Sequence, residues 1–184
     1  MRIVPSHGGY DRLVSYQKAV VVFDTTTIFC QRFVDRRSRT HDQMIQAARS
    51  GKQNIVEGSQ ASGVSKETEI RLTGVARASL EELLEDYRDF LRTADHELWE
   101  KQSSRAQYVR RLGATGGGGR DRFVEFARTR PAPIVANIII CLIHQANYLL
   151  DRQIRRLEQD VLRDGGFRER MSAARRRARQ VDSR

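Results

Sequence analysis

The sequence predicts an all-α protein: an antiparallel up-and-down four-helix bundle with a helical or looped arm and a basic C-terminal tail. Three observations carry this prediction. Four separate stretches, residues 11–34, 42–60, 66–93 and 134–162, repeat apolar residues at three- and four-residue steps. Turn, capping or proline signals separate them. The composition, with 3 prolines, 30% charged and 39% hydrophobic residues, suits helices with wide solvated faces. Residues 10–162 then form one bundle domain, with the arm 95–133 inserted before the last helix, and residues 163–184 form the tail. A chain of 184 residues is ample for a single core.

In the first helix, Leu13, Tyr16, Val20, Phe23, Thr27 and Cys30 give a core stripe. Thr25, Thr26 and Thr27 are weak helix formers, so packing must hold that turn. A charged link, residues 35–40, leads to Thr40. With Gln43 three residues on, Thr40 fits the capping-box pattern for the second helix. That helix is the organising element. Met44, Ala48, Gly51, Ile55 and Gly58 share one thin apolar face, which lets a neighbouring backbone come close. Interior glycines cost a helix roughly 1 kcal/mol each relative to Ala, so close contact is the expected reason for them. The opposite face, with Gln46, Arg49, Lys52, Gln53 and Gln60, is basic and amide-rich.

Ser65 is placed to cap the third helix, with Glu67 and Glu69 in its positive first turn. Ile70, Ala76, Leu80, Leu83, Leu84, Tyr87 and Leu91 supply its apolar face, and Gly74 and Ala78 add thin spots for packing on the second helix. Within the arm, residues 99–112 suit a short basic helix, and the glycine-rich run 113–122 reads as a flexible loop. That run lacks the Lys-Ser/Thr pair of a phosphate-binding loop and follows no strand. Pro131 and Pro133 open the fourth helix, whose first half, from Ile134 to Ile143, is apolar nearly all round. One face suffices for a bundle, so the surplus must be covered by the arm or by another subunit.

Three segments also carry a family resemblance. Asn54, Ile55, Glu57 and Gly58 form an Asn-Ile-x-Glu-Gly core. Residues 76–83 read Ala-Arg-Ala-Ser-Leu-Glu-Glu-Leu, and residues 136–158 form a long matching helix. Together these resemble the four-helix-bundle proteins related to the 23S rRNA intervening-sequence proteins, in particular the four-helix-bundle suffix-domain branch. The family includes the accessory variability determinants of diversity-generating retroelements, which assemble as pentameric barrels and bind nucleic acid and a reverse transcriptase. The resemblance therefore implies a bundle, a homo-oligomer of pentameric type, and nucleic acid and a reverse transcriptase as partners.

The net charge is +10, which biases the chain toward polyanions, nucleic acid first; simple solubility charge is the plainer reading of the same number. Half of that charge lies from Arg163 onward. The candidate phosphate contacts are Arg49 and Lys52 on the second helix, Arg152, Arg155 and Arg156 on the fourth, and Arg175, Arg176 and Arg177 in the tail. No aromatic residue is interleaved with them, so contacts to phosphate rather than stacking on bases are expected. Glu57 on the second helix is expected to meet Arg77 on the third as a register-setting polar pair.

Catalytic and metal patterns are missing. The four histidines, His7, His41, His96 and His144, show neither His-x-x-His nor Glu-x-x-His spacing, and no zinc or nucleophile-elbow motif occurs. Metal ligation by His41, Asp42 and Glu57 is weaker than a capping role for the first two. His144, Gln145 and Asn147 interrupt the fourth helix and suit a core hydrogen-bond network or a subunit contact. Cys30 and Cys141 read as small core residues in a reducing compartment. The expectation is thus no enzyme, no cofactor, no metal and no membrane span, in a soluble cytoplasmic protein. Neither the short polar N-terminus nor the run Ile138 to Ile143 resembles a signal or a span.

Overall fold

A computed structural model of the chain describes residues 9–114 and 119–164, together with Ser172 and Arg176. The described residues are helical and include no strand. A 3-10 turn, Tyr10–Arg12, precedes α1 (Val14–Phe33), α2 (Arg39–Ala61), α3 (Lys66–Thr93), α4 (Ser104–Gly113), α5 (Arg120–Thr129) and α6 (Ala132–Asp164). The most extensive packing is α2 on α3, followed by α3 on α6, α1 on α6 and α1 on α2. These four contacts close a ring.

Serines start three of the helices. Ser65 Oγ accepts from the Thr68 amide at 3.1 Å, as its position in the sequence predicts, and Ser103 does the same for Ala106 at 3.3 Å. For α2 the cap is Ser38 rather than Thr40. Ser38 sits in extended backbone and its Oγ takes the Thr40 amide at 3.2 Å, which places Thr40 inside the helix. His41 does not cap either; its Nδ1 lies 3.1 Å from Asp42 on the exterior side.

The thin face of α2 meets α3 as the glycines predict. A Cβ on Gly51 would lie 2.7 Å from Leu80 Cδ2, and one on Gly58 would lie 3.4 Å from the Glu69 carbonyl oxygen. Residue numbers fall along α3 as they rise along α2. The same opposition holds between α3 and α6, where Arg77 meets Asp151 and Glu81 meets Asn147. Gly74 and Ala78 depart from expectation. Nothing lies within 4 Å of a Cβ built on Gly74, and Ala78 is exposed, so neither contributes to the α2 contact.

The buried face of α1 is also not the one the apolar stripe indicated. Leu13, Tyr16, Val20, Phe23 and Thr27 are only half-buried, while Ser15, Lys18, Ala19, Val22, Thr25, Thr26, Phe29 and Cys30 face inward. The inward polar groups all have partners. Thr25 returns its hydroxyl proton to the Val21 carbonyl at 2.7 Å, Thr26 accepts from Tyr87 Oη at 3.0 Å, and Ser15 donates to Gln153 at 2.7 Å.

The arm is a second layer over α6. Phe123, Phe126 and Val109 join Val135, Ile138, Ile139, Ile140 and Ile143 in one apolar cluster. Buried Asn137 fixes the strand-like link before α4, accepting from the Trp99 amide at 2.8 Å and donating to the Glu97 carbonyl at 2.9 Å. Helix α1 is the arm's seat at three points. Lys18 Nζ donates to the Gly113 carbonyl at 2.7 Å, Asp24 accepts from Arg120 at 2.7 Å, and Arg32 donates to the carbonyls of Ala127 and Arg130. Two of these satisfy carbonyls at helix C-termini, where positive charge is also favoured. The surplus apolar surface of α6 is therefore covered within one chain, and it no longer argues for a second subunit. By length and composition Ala132–Arg163 could cross a membrane, contrary to the reading of its apolar run, but 61% of its most apolar window is buried inside the fold.

Lys18 is 2% exposed, and burial pulls its ammonium down to about 8. Its unfolded value is the higher one, so between about pH 8 and the ordinary lysine range the unfolded chain binds more protons and stability rises with pH. The rise is at most about 3 kcal/mol, because the Gly113 carbonyl favours the charged form. Cys30 and Cys141, pushed up by burial to about 12 and about 11, act oppositely above pH 9. Denaturant titrations of wild type and Lys18→Met between pH 7 and 10 separate the two. The difference in stability between them should shift toward wild type as pH rises, and a pH-independent difference would refute the assignment.

Candidate nucleic-acid interface

The structure splits the predicted phosphate contacts. Arg49 on α2 and Arg152, Arg155 and Arg156 on α6 are all exposed, but α2 and α6 are not adjacent in the ring of packed helices. The two basic patches therefore belong to different sides. Lys52 is not the free surface cation expected. It is half-buried, with Nζ 4.3 Å from the centre of the Phe23 ring. Arg176 is exposed and donates to Ser172 at 3.1 Å; Arg175 and Arg177 lie outside the described residues.

The Glu57–Arg77 pair does not form. Glu57 is exposed, and Arg77 donates through Nε to Asp151 Oδ1 at 2.6 Å. Ala76, Leu80 and Thr73 are the α3 residues that face α2 at its glycines. Arg77, one step round the helix from Ala76, turns toward α6 instead. The polar contact between α2 and α3 is smaller, Ser50 Oγ to Ser79 Oγ at 2.9 Å.

A concave site appears where sequence reading had placed none. A groove of about 540 Å³ lies between the end of α3, the link before α4, α4 itself and α6. Its floor is apolar, from Ala106, Ile140 and Cys141. Trp99 and Tyr148 supply aromatic surface, and Arg88, Lys101 and Arg110 line it with positive charge. No carboxylate lines it. Tyr148 is 62% exposed and Leu98 48%, so both offer accessible apolar surface at the groove. Arg152 extends the charge along α6, its guanidinium carbon 5.9 Å from the Tyr148 ring centre.

The electrostatics of the groove agree with its lining. The His144 imidazole is held below its ordinary value by burial first, then by the positive charge of Arg88, with Glu81 opposing and Lys101 adding to the depression. Two carboxylates on α3 are engaged outside the lining. Glu85 pairs with Arg88, and Glu81 accepts from Asn147 at 2.9 Å. His144, Gln145 and Asn147 do not join in one network: Gln145 donates to the Arg110 carbonyl at 3.2 Å and ties α4 to α6, Asn147 donates to Glu81, and the amide oxygens of both are buried without a hydrogen-bond partner among the described residues. On the other side of α4 a second groove of about 420 Å³ shares Trp99 and adds Tyr108, Phe126, Arg105 and Arg130, again without a carboxylate.

Such a site can hold an anion beside a planar apolar group. It is poorly equipped for nucleophilic chemistry. Cys141 and His144 stand three apart on α6, but burial pushes the Cys141 thiol up to about 11, so the reactive thiolate is scarce. Among the described residues no group of three His, Cys, Asp or Glu side chains is placed to hold a metal.

Two signals in the sequence pointed toward these grooves. Phe123, Phe126 and Ala127 at steps of three and one mark the missed helix α5, whose Phe126 lines the second groove, and Trp99 stands out as a large aromatic among charged residues. No family model, curated protein or solved structure matches the chain.

Proposed function

We propose that this chain is a non-enzymatic nucleic-acid-binding accessory protein, an antiparallel up-and-down four-helix bundle (α1, α2, α3 and α6) with the arm laid over α6. The closed ring of helix contacts supports the bundle assignment. The observation that carries the binding assignment is the groove beside α4, which combines three cations and two aromatic side chains with no carboxylate. The net charge of +10 adds long-range attraction for polyanions. On the sequence resemblance, the protein works as a homo-oligomer, of pentameric type, beside a reverse transcriptase or another nucleic-acid enzyme, and its two core cysteines suit the reducing cytoplasm. Pentamer formation rests on that resemblance alone, now that the arm accounts for the apolar half of α6.

Binding of labelled RNA or DNA, followed by fluorescence anisotropy across a salt series, tests the proposal. Affinity should fall steeply with salt, with a log–log slope of about −0.7 per phosphate contacted on single strands and about −0.9 on duplex DNA. Replacing Arg175, Arg176 and Arg177 by Ala should weaken binding to all sequences alike and flatten that slope. Arg49→Ala is the cleaner test of the α2 patch, because Lys52 also packs on Phe23. No retention of either nucleic acid at low salt would favour a protein-interaction scaffold with incidental charge. Light scattering on the same sample decides the oligomeric state.

A further inference from the structure

We propose that the groove between α3, α4 and α6 holds an unpaired base of single-stranded nucleic acid, stacked against Tyr148 or Trp99, with the flanking phosphates on Arg88, Lys101 and Arg110. This rests on the nucleic-acid reading above and names the site and the form of the ligand. The volume, about 540 Å³, falls in the range of pockets that enclose small planar ligands. A base inside a duplex keeps both faces stacked on its neighbours and cannot enter such a concavity, whereas a base in a single strand can be splayed out. Aromatic walls with cations at the rim are the combination that binds single strands without reading their sequence.

Charge argues against other occupants. An apolar helix or acyl chain would gain nothing from three converging cations, and would leave them desolvated at a cost. One of those cations, Arg88, already pairs with a carboxylate, Glu85. Lys101 is exposed, and Arg88 faces the groove while its partner Glu85 does not line it. Phosphate is the anion that arrives at regular spacing beside a flat apolar group. Arg152, next to Tyr148, continues the cationic track along α6 for the following nucleotide. Contrary to the expectation from sequence spacing, aromatic and basic residues are therefore interleaved in space.

The chain has one tryptophan, and Trp99 lines this groove. Titrating the full-length protein with short oligo(U) should quench Trp99 emission in a saturable way, while a duplex of the same length should bind with little quenching. Tyr148→Ala should weaken oligo(U) binding by about five-fold or more, the effect of losing one stacked base, and leave duplex binding nearly unchanged. Lys101→Glu, at an exposed position, should weaken it as well and reduce the salt slope. Circular dichroism checks that both variants keep the helical fold. If oligo(U) binds by anisotropy but Trp99 emission and both variants are unaffected, the groove assignment is overturned while the nucleic-acid reading stands. Equal displacement of oligo(U) by polyglutamate would also overturn it, showing a general polyanion surface. Absence of any nucleic-acid binding removes both proposals together.

Discussion

Ile139→Glu is expected to abolish folding, not assembly. Ile139 is 0% exposed in the described fold and belongs to the core cluster that also includes Leu80, Leu83, Leu142 and Phe123. A carboxylate there must either stay charged in an apolar interior or take up a proton, and it also loses the apolar contacts of the isoleucine. Such substitutions cost several kcal/mol, a large part of the roughly 5–15 kcal/mol that holds a domain together. Had a neighbouring subunit covered this face, the substitution would leave a folded, helical protomer of smaller mass. Circular dichroism together with light scattering separates the two outcomes, and a folded smaller species would refute burial of Ile139 within one chain. Ile139→Val, which removes one methylene, should cost only about 1 kcal/mol and keep the fold.

Gly51→Val should be the other strongly destabilising change. A Cβ at Gly51 lies 2.7 Å from Leu80 Cδ2 and 2.8 Å from Leu80 Cγ, closer than carbon atoms can pack. Leu80 is itself 0% exposed and has no solvent to swing into, so α2 and α3 must separate. Overpacking of this kind costs about 1–3 kcal/mol, and it outweighs the gain of up to about 1 kcal/mol from replacing a helical glycine. Leu80→Ala should partly rescue Gly51→Val, since it removes the atoms that clash; a double-mutant cycle measures that coupling. Gly74→Ala is the internal control. With nothing within 4 Å of its Cβ it should stabilise the protein by up to about 1 kcal/mol. If Gly51→Val melted at the wild-type temperature, the close approach of α2 and α3 would be wrong.

Periodicity was legible wherever the core face of a helix is apolar and its neighbours are close in sequence. Met44, Ala48, Gly51, Ile55 and Gly58 are all buried, as their spacing requires. The boundaries of α3 follow from Ser65 and from its apolar residues Ala76, Leu80, Leu83, Leu84, Tyr87 and Leu91 for the same reason, although its first buried turns carry Glu69 and Thr73 and leave Ile70 half-buried. These features depend only on local backbone geometry and on the drive to bury one face. Helix α1 shows the limit. Its apolar residues wrap the whole surface, and its inward face includes Lys18, Thr25 and Thr26. Thr25 bonds back to Val21 on its own helix, but the other two find partners elsewhere: Gly113 for Lys18, Tyr87 for Thr26. A polar residue reads as outward until its partner is known, so the wrong stripe won.

Position around a helix axis decided the rest. Arg77 was assigned Glu57 because both lie on neighbouring helices, but a rotation of one residue sends it to Asp151. The basic residues of α2 and of α6 sit on helices that do not pack against each other, which no spacing within either helix reveals. The groove arises only when Arg88, Trp99, Lys101, Arg110 and Tyr148, carried by four separate segments, converge beside α4. Sequence by itself determined the four long helices, the Ser65 cap and the overall positive charge, because these are properties of neighbours along the chain. Tertiary structure alone decided which polar groups are paired, what covers α6 and where aromatic and cationic side chains meet. Those depend on distances between segments that no local pattern encodes.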